Sequence, residues 1–141
     1  MAFTINGKEQ LVNGDQYFFI EKHRNSAFKH ASRWIINLET EFLLANDSLI
    51  NDFIEEEKNK KCSYNVLNKN KKIAVIGKSN RGDCLKIGKF VKTTPTEWHG
   101  YPSDHLKNPQ DIPKQPTLDK MRDLKLINKS EHSKLCRGQK I

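Results

Sequence analysis

The sequence predicts an α+β fold, in which N-terminal helices pack on a small, mainly antiparallel sheet and a helical hairpin follows at the C-terminal end. Three observations predict this class. Apolar residues recur every three or four positions between 27 and 45, as in an amphipathic helix. Short runs rich in β-branched and aromatic residues occupy much of 63–91, as in strands. Capping residues and a final glycine then frame helices between 117 and 138.

The 141 residues correspond to one domain, because domains usually contain about 100–200 residues. We expect residues 1–141 to fold as a single domain with two zones. The first zone, 1–60, is mainly helical and mildly acidic. The second, 61–141, contains a basic sheet, a proline-rich loop and the helical hairpin.

The first zone is predicted to begin with strands and to continue with two helices. Asn6-Gly7 indicates a hairpin turn, and 16–22 (QYFFIEK) indicates a strand. Asn25 and Ser26 are capping residues for a helix over 27–45. The next three residues (NDS) end that helix and cap a second one, which should fray where Glu55, Glu56 and Glu57 meet the negative end of its dipole.

The second zone is predicted to begin with a hairpin, in which SYNVL and KKIAVIG flank the turn NKN. The run CLKIGKFV predicts another strand, with Gly88 as a β-bulge. Five prolines between 95 and 116 then predict a long, extended loop, a kind of segment that is often functional. Thr117 caps the first helix of the hairpin, and the second helix begins near Ser130 and ends at Gly138.

Charge separates the two zones. Residues 1–60 contain 7 Lys/Arg and 10 Asp/Glu, whereas 61–141 contain 18 and 7, and the whole chain has a net charge of +8. This asymmetry favours an anionic partner, and the leading hypothesis is a nucleic-acid-binding protein. RNA or single strands are favoured over duplex DNA, because no helix shows a pattern typical of base reading. An acidic protein partner is the alternative, in which case the chain is an interaction module such as a bacterial or phage regulator.

The stretch 94–105 (TPTEWHGYPSDH) combines aromatic rings, imidazoles and prolines directly after a lysine-rich strand. One interpretation is an aromatic loop whose rings stack on unpaired bases. The other is a core plug, in which Trp98 and Tyr101 are buried and Gly100 adopts a φ that the turn requires. The predicted nucleic-acid-binding residues are Lys78, Arg81, Lys86, Lys89, Lys92, Trp98, Tyr101 and Arg137.

A third class, a small metal-independent, toxin-like nuclease, needs a base, an acid and a cation beside the scissile phosphate. The candidate catalytic residues are His99 and His105, with Lys92 and Arg137 as cations, although chain spacing alone gives them no geometry. The run VIGKS is not a P-loop, because Lys72 stands where that motif requires its first glycine. His132 and Cys136 have helical spacing but no second ligand pair, so no metal and no cofactor are predicted.

The expected location is cytoplasmic. Three widely spaced cysteines fit a reducing compartment rather than a disulfide framework. The N-terminal residues lack the pattern of a signal peptide, and no apolar run approaches the about 20 residues of a membrane span. Abundant Asn and Lys suggest a bacterial or phage origin.

Overall fold

A computed structural model describes residues 3–141, except for the side chain of Glu57. These residues contain helices and strands in chain order β1 (Lys8–Gln10), β2 (Gln16–Phe18), β3 (Arg33–Trp34), α1 (Leu38–Ile50), β4 (Ile54–Glu57), β5 (Lys60–Asn65), β6 (Asn68–Lys69), β7 (Lys72–Ile73), β8 (Gly77–Lys78), β9 (Cys84–Leu85), β10 (Ile87–Lys92), β11 (Glu97–Ser103), α2 (Gln115–Asp123) and α3 (Lys129–Cys136). Two short 3₁₀ helices, Glu21–His23 and Pro109–Asp111, complete the list. The predicted α+β class is confirmed at the level of mixed helices and sheets. No helix within 3–141 is both long and apolar enough to cross a membrane.

The main sheet has six strands in the order β1-β2-β11-β10-β5-β4. Its neighbouring strands are antiparallel, except that β2 and β11 run parallel for a short stretch. A three-stranded sheet, β3-β8-β9, and the small hairpin β6-β7 accompany it. β10 and β11 therefore lie at the centre of the main sheet, and each is paired on both sides.

Each face of the main sheet is covered by its own hydrophobic core. On one face, Phe90 and Trp98 pack with Tyr17, Trp34 and the apolar side of α1. The core of the other face joins residues of β5 and β10 to the two C-terminal helices; it comprises Phe53, Tyr64, Val66, Ile73, Ile87, Leu118, Met121, Ile127 and Leu135. The second core does not extend over the whole of its face of the sheet. The candidate site, which includes His99 and Tyr101, lies on the remaining part of that face.

The helix predicted over 27–45 is wrong in its first half. α1 begins at Leu38, after Asn37, whose side chain accepts a hydrogen bond of 2.8 Å from the backbone N–H of Thr40. The preceding residues form turns, and Trp34 lies in a strand that pairs with β8. The apolar spacing before residue 37 thus reflects burial of Trp34 in the core rather than a helical stripe.

The second predicted helix is also wrong, because α1 continues through Asn46, Asp47 and Ser48, where a break is predicted, and Ile54–Glu57 forms β4. The first zone is therefore not mainly helical: its described residues contain one α-helix and several strands. The strand β4 lies at the sheet edge and pairs with β5, where Glu56 is opposite Lys61. Opposite charges at facing positions stabilise a strand pair, whereas the same glutamates are unfavourable at a helix C-terminus. The glutamates therefore favour the strand.

The predicted proline-rich loop contains a central strand. β11 includes Pro102, which lies in the part of the strand that pairs with β10 but not with β2. A proline lacks the N–H that a second neighbouring strand would require, so this position tolerates it. The predicted bulge at Gly88 is wrong as well, because the register of β10 against both neighbours is regular.

The last two helices lie close to their predicted positions. α3 begins after Asn128, which forms a capping box with Glu131, and Gly138 follows the helix with φ of 68°. α2 begins two residues before Thr117. Its first turn is capped by Glu55 of β4, which accepts hydrogen bonds of 2.8 Å from the Lys114 N–H and from the Thr117 hydroxyl.

We expect the Gly100→Ala substitution to destabilise the fold by about 1–3 kcal/mol, because the core has no room for an added methyl group. A Cβ at this position would lie 2.7 Å from the Tyr17 hydroxyl oxygen and still closer to the Phe90 ring. Urea unfolding of the single variants and of the double variant with Phe90→Leu tests the cause. Phe90→Leu should cost less in the Gly100→Ala protein than alone, and strictly additive costs would contradict this steric explanation.

Candidate functional site

Three adjoining clefts form a groove beside the turn of the β8-β9 hairpin. The central cleft, about 290 Å³, contains His23, His99 and Tyr101. It shares Ser79 and Asn80 with a cleft of about 320 Å³, here called the loop cleft, which is built by residues 25–33. It also shares Asp104 and Lys107 with a cleft of about 480 Å³, here called the basic cleft. The hairpin turn thus borders all three clefts.

The groove concentrates positive charge and imidazoles. Four of the five histidines of the chain line it: His23, His30, His99 and His105. Seven cations line it as well, against the three carboxylates of Asp83, Asp104 and Asp111; the cations are Lys22, Lys29, Arg33, Arg81, Lys86, Lys107 and Lys140. Within residues 3–141, only Arg81 of these seven forms an ion pair, a solvent-exposed one with Asp83. The other six cations have no ion pair with an Asp or Glu side chain of the described residues.

The alternation of side chains along β11 places His99 and Tyr101 in the central cleft. Their neighbours in the strand, Trp98 and Gly100, are buried against the first core, so the intervening residues point to the opposite face. In the antiparallel register Tyr101 lies opposite Lys89 of β10. Facing residues share one side of a sheet, so Lys89 extends beneath the cleft.

A buried polar cluster forms the floor of the central cleft. Lys89 Nζ lies 2.7 Å from Asp111 Oδ1, and the Tyr101 hydroxyl donates to Asp111 Oδ2 at 3.3 Å. Burial raises the pKa of Tyr101, and the negative charge of Asp111 raises it further. The phenol therefore stays protonated and fixed. Lys89, which the sequence predicts as a nucleic-acid contact, forms an ion pair with Asp111 under the cleft.

His23 lies in the wall of the central cleft with only 8% of its surface exposed. Its Nδ1 is 2.9 Å from the backbone carbonyl oxygen of Ser32, and its ring stacks on Tyr101 at 5.4 Å between centroids. A carbonyl oxygen only accepts, so Nδ1 carries the hydrogen, and Nε2 is unprotonated in the neutral ring. Burial lowers the pKa of His23.

His99 of β11 is half-buried in the same cleft. Neither of its ring nitrogens has a hydrogen-bond partner within 3–141. Burial lowers the pKa of this imidazole, and the positive charges of His23 and Lys22 lower it further. His23 and His99 therefore interact electrostatically across the cleft, and both favour the neutral form more strongly than an exposed histidine does.

The basic cleft contains three further residues that the sequence singled out: Arg81, Lys86 and His105. Lys86 Nζ donates to the Ile141 carbonyl oxygen, and His105 Nε2 lies 2.9 Å from that of Gln139. His105 is thus a groove residue, but it does not line the central cleft with His99. Lys78 lies outside the clefts, opposite Arg33 in β3, and contacts the Cys84 sulfur at 3.2 Å.

Besides Lys78, three more of the predicted nucleic-acid contacts do not line the groove. Trp98 is 3% exposed, and its indole Nε1 donates to Asp15 at 2.9 Å, so the core interpretation applies and the ring is not free to stack on a base. Lys92 Nζ lies 3.4 Å from the same Asp15 carboxylate. Arg137 is exposed where α3 ends and does not line any of the three clefts.

Sequence reasoning missed the contribution of residues 22–33 (KHRNSAFKHASR). This segment supplies Lys22, His23 and His30, together with Phe28, an aromatic ring that is 44% exposed in the loop cleft. Basic residues interleaved with an aromatic ring are typical of nucleic-acid contacts, and the segment shows that pattern. The signal was hidden because the first zone is acidic as a whole and because Phe28 fitted the supposed helical stripe.

The fifth histidine, His132, lies in a separate polar cluster between α2 and α3. His132 Nε2 lies 2.7 Å from Asp119 Oδ1, and the Cys136 sulfur lies 3.7 Å from the same nitrogen. Among the described residues, no group of three or more His, Cys, Asp or Glu side chains is arranged to hold a metal ion. These side chains connect α2 to α3 and do not line any of the three clefts.

Comparisons with protein-family models, with curated proteins and with solved structures find no match to this chain. The geometry and charge of the groove are therefore the basis for assigning a function.

We expect His23 and His99 to titrate below the ordinary histidine pKa of 6.5 when their Cε1–H signals are followed by NMR. Because a lowered folded-state pKa means that the unfolded chain binds more protons, stability should fall as pH decreases from about 6.5 through the folded-state values. Urea unfolding at about pH 7.5 and about pH 5 measures the free energy of unfolding. This free energy should fall less between the two pH values for His99→Gln than for the wild type. An equal loss would contradict the burial of this imidazole.

Proposed function

We propose that the groove binds single-stranded RNA. The observation that carries this proposal is the convergence of four histidines and seven Lys/Arg on three adjoining clefts. Cations that lack carboxylate partners attract an anion more strongly than paired ones, because no internal charge offsets them. A polyanion that spans adjoining clefts would meet these charges in succession.

The two types of side chain in the groove suit the two parts of a nucleotide. Lys22 and Lys107 flank the central cleft, where their ammonium groups are positioned to contact phosphates. Phe28 offers an exposed ring to an unpaired base, and such stacking contributes about 1–3 kcal/mol per base. The aromatic contact therefore comes from the loop cleft rather than from Trp98.

A single strand fits this surface better than duplex DNA. The groove is lined by strands, turns and loops, and no residue of α1, α2 or α3 lines its three clefts. Reading the major groove of a duplex usually requires a helix or a two-stranded ribbon that enters it. Clefts instead receive individual nucleotides, which an unpaired strand can present separately.

An acidic protein is the alternative partner. Protein interfaces are usually broad patches of about 800 Å² per partner, whereas each of these clefts is a concavity of about 290–480 Å³. Small anionic units therefore fit them better than a flat acidic face does. Binding to an acidic protein with no affinity for RNA would favour the alternative.

We expect Lys107→Glu to weaken binding of an RNA of about ten nucleotides at least about tenfold, because the substitution places a carboxylate beside the phosphate path. Fluorescence anisotropy measures the affinity. The matched control is Lys72→Glu, which changes the net charge equally on β7, opposite Lys69 and outside the three clefts. Equal losses in the two variants would show that only overall charge matters and would contradict a defined groove.

The salt dependence of RNA binding measures how many phosphates the protein neutralises. For single strands, the logarithm of the binding constant falls with the logarithm of salt concentration by about 0.7 per neutralised phosphate. The double variant Lys22→Gln/Lys107→Gln should therefore reduce this slope by about 1.4 relative to the wild type. A wild-type affinity that does not change with salt would contradict the proposal.

A further inference from the structure

Two imidazoles of the central cleft have nitrogen atoms that bind nothing within residues 3–141. His23 Nδ1 is engaged by the Ser32 carbonyl, so the unbound atom is Nε2, which carries a lone pair in the neutral ring. Only 8% of the surface of His23 is exposed, and Nε2 is not among the fully buried unpartnered polar atoms of the described chain, so this atom is reached from the cleft. An open hydrogen-bonding position on so buried a ring suits a ligand that enters the cleft.

His99 supplies the complementary group. Both of its nitrogens lack protein partners within the described chain, and its charge interacts with that of His23. Two histidines in one cleft pass through states in which the pair holds a single proton as the pH changes. In such a state one ring is neutral and the other is charged, as concerted acid–base chemistry requires.

We propose that the central cleft cleaves single-stranded RNA, with His23 as the base, His99 as the acid and the 2′-hydroxyl of the RNA as the nucleophile. The neutral Nε2 of His23 removes the proton of the 2′-hydroxyl, and the 2′-oxygen forms a bond to phosphorus. The bond from phosphorus to the 5′-oxygen breaks, and protonated His99 donates its proton to that oxygen. The products are a 2′,3′-cyclic phosphate and a free 5′-hydroxyl, and proton exchange with water restores both rings.

This inference rests on the proposed function, because the cleft must first bind RNA. Lys22 and Lys107 lie beside the two imidazoles, where they stabilise charge that develops on the phosphoryl oxygens. Tyr101 is a positioning residue: its ring stacks on His23, and its hydroxyl is held by Asp111. The 2′-hydroxyl explains why RNA rather than DNA is the substrate, since DNA lacks that nucleophile.

The test uses a fluorescent DNA oligonucleotide with one ribonucleotide in the middle, and an all-DNA oligonucleotide of the same sequence as control. Wild-type protein should cleave the first at the ribonucleotide and leave the second intact. Mass spectrometry should identify a 2′,3′-cyclic phosphate and a 5′-hydroxyl. Cleavage of both oligonucleotides, or a 5′-phosphate product, would overturn the mechanism.

His23→Gln and His99→Gln should each lower kcat/KM by at least about 10²-fold, the usual contribution of a general acid or base. The matched control is His132→Gln, which removes the histidine that lies outside the groove and should leave the rate unchanged. Cleavage that persists in the double variant His23→Gln/His99→Gln would belong to a contaminant and would overturn the proposal. If His23→Gln does not fold by circular dichroism, the half-buried His99 decides the question alone.

The pH profile of kcat/KM should be bell-shaped, with its maximum below about pH 6.5, because it reports the acid and the base of the free protein. In His99→Gln, both the acidic and the alkaline side of this pH profile should differ from those of the wild type. The other titratable groups that face the two imidazoles are Lys22, His30, Tyr101, Asp104, Lys107 and Asp111. A rate that is independent of pH between about 5 and 8 would contradict the paired imidazoles.

Binding is measured separately with 2′-O-methyl RNA, which lacks the nucleophile. If this RNA binds in the groove but the chimeric substrate is not cleaved, the catalytic inference fails and the proposed function stands. If neither RNA binding nor cleavage is observed, both fail. Binding that survives in His99→Gln while cleavage is lost is the expected result.

Discussion

The alternation of side chains along β11 is the constraint on which the groove depends. Trp98 and Gly100 enter the first core, and His99 and Tyr101 therefore point to the opposite face. A slip of one residue would exchange the two sets and place imidazoles in the core. Gly100 prevents that slip, because Phe90 and Tyr17 occupy the space that any larger side chain would need. Packing on one side of the sheet thus determines chemistry on the other.

A second, buried interaction fixes the other wall of the groove. Glu41 of α1 is 1% exposed, accepts a hydrogen bond from the Tyr17 hydroxyl at 2.5 Å and pairs with Arg24 at 2.6 Å. Burial raises the pKa of Glu41, while the hydrogen bonds from Tyr17 and Arg24 oppose that shift. Arg24 also donates to the Ile36 carbonyl and directly follows His23 in the chain. A carboxylate of the first core therefore holds the segment that presents His23.

The parts of the fold that sequence could predict are those that local chemistry decides. The capping box at Asn128 and the glycine after α3 act within a few residues, and both are present where the sequence indicates them. The strand character of β11 was hidden because Pro102 suggested a loop, and only the pairing of its neighbours shows why a proline is tolerated there. His99 and Tyr101 were singled out by their unusual motif. The participation of His23 depends on a contact between distant segments, which no local pattern records.

Charge along the chain is a poor guide to charge in space, and this explains how the groove gains its cations. Part of the acidic excess of residues 1–60 attaches α2 to the rest of the fold: Glu55 caps this helix, and Asp52 pairs with Lys120 at 3.2 Å. The exposed pair contributes little energy, but together these contacts place acidic groups beside α2 rather than in the groove. The groove then draws cations from both zones, among them Lys22 and Lys107. The positive charge of the groove therefore arises from the separation of acidic and basic side chains by the fold, and the net charge of one zone alone does not predict it.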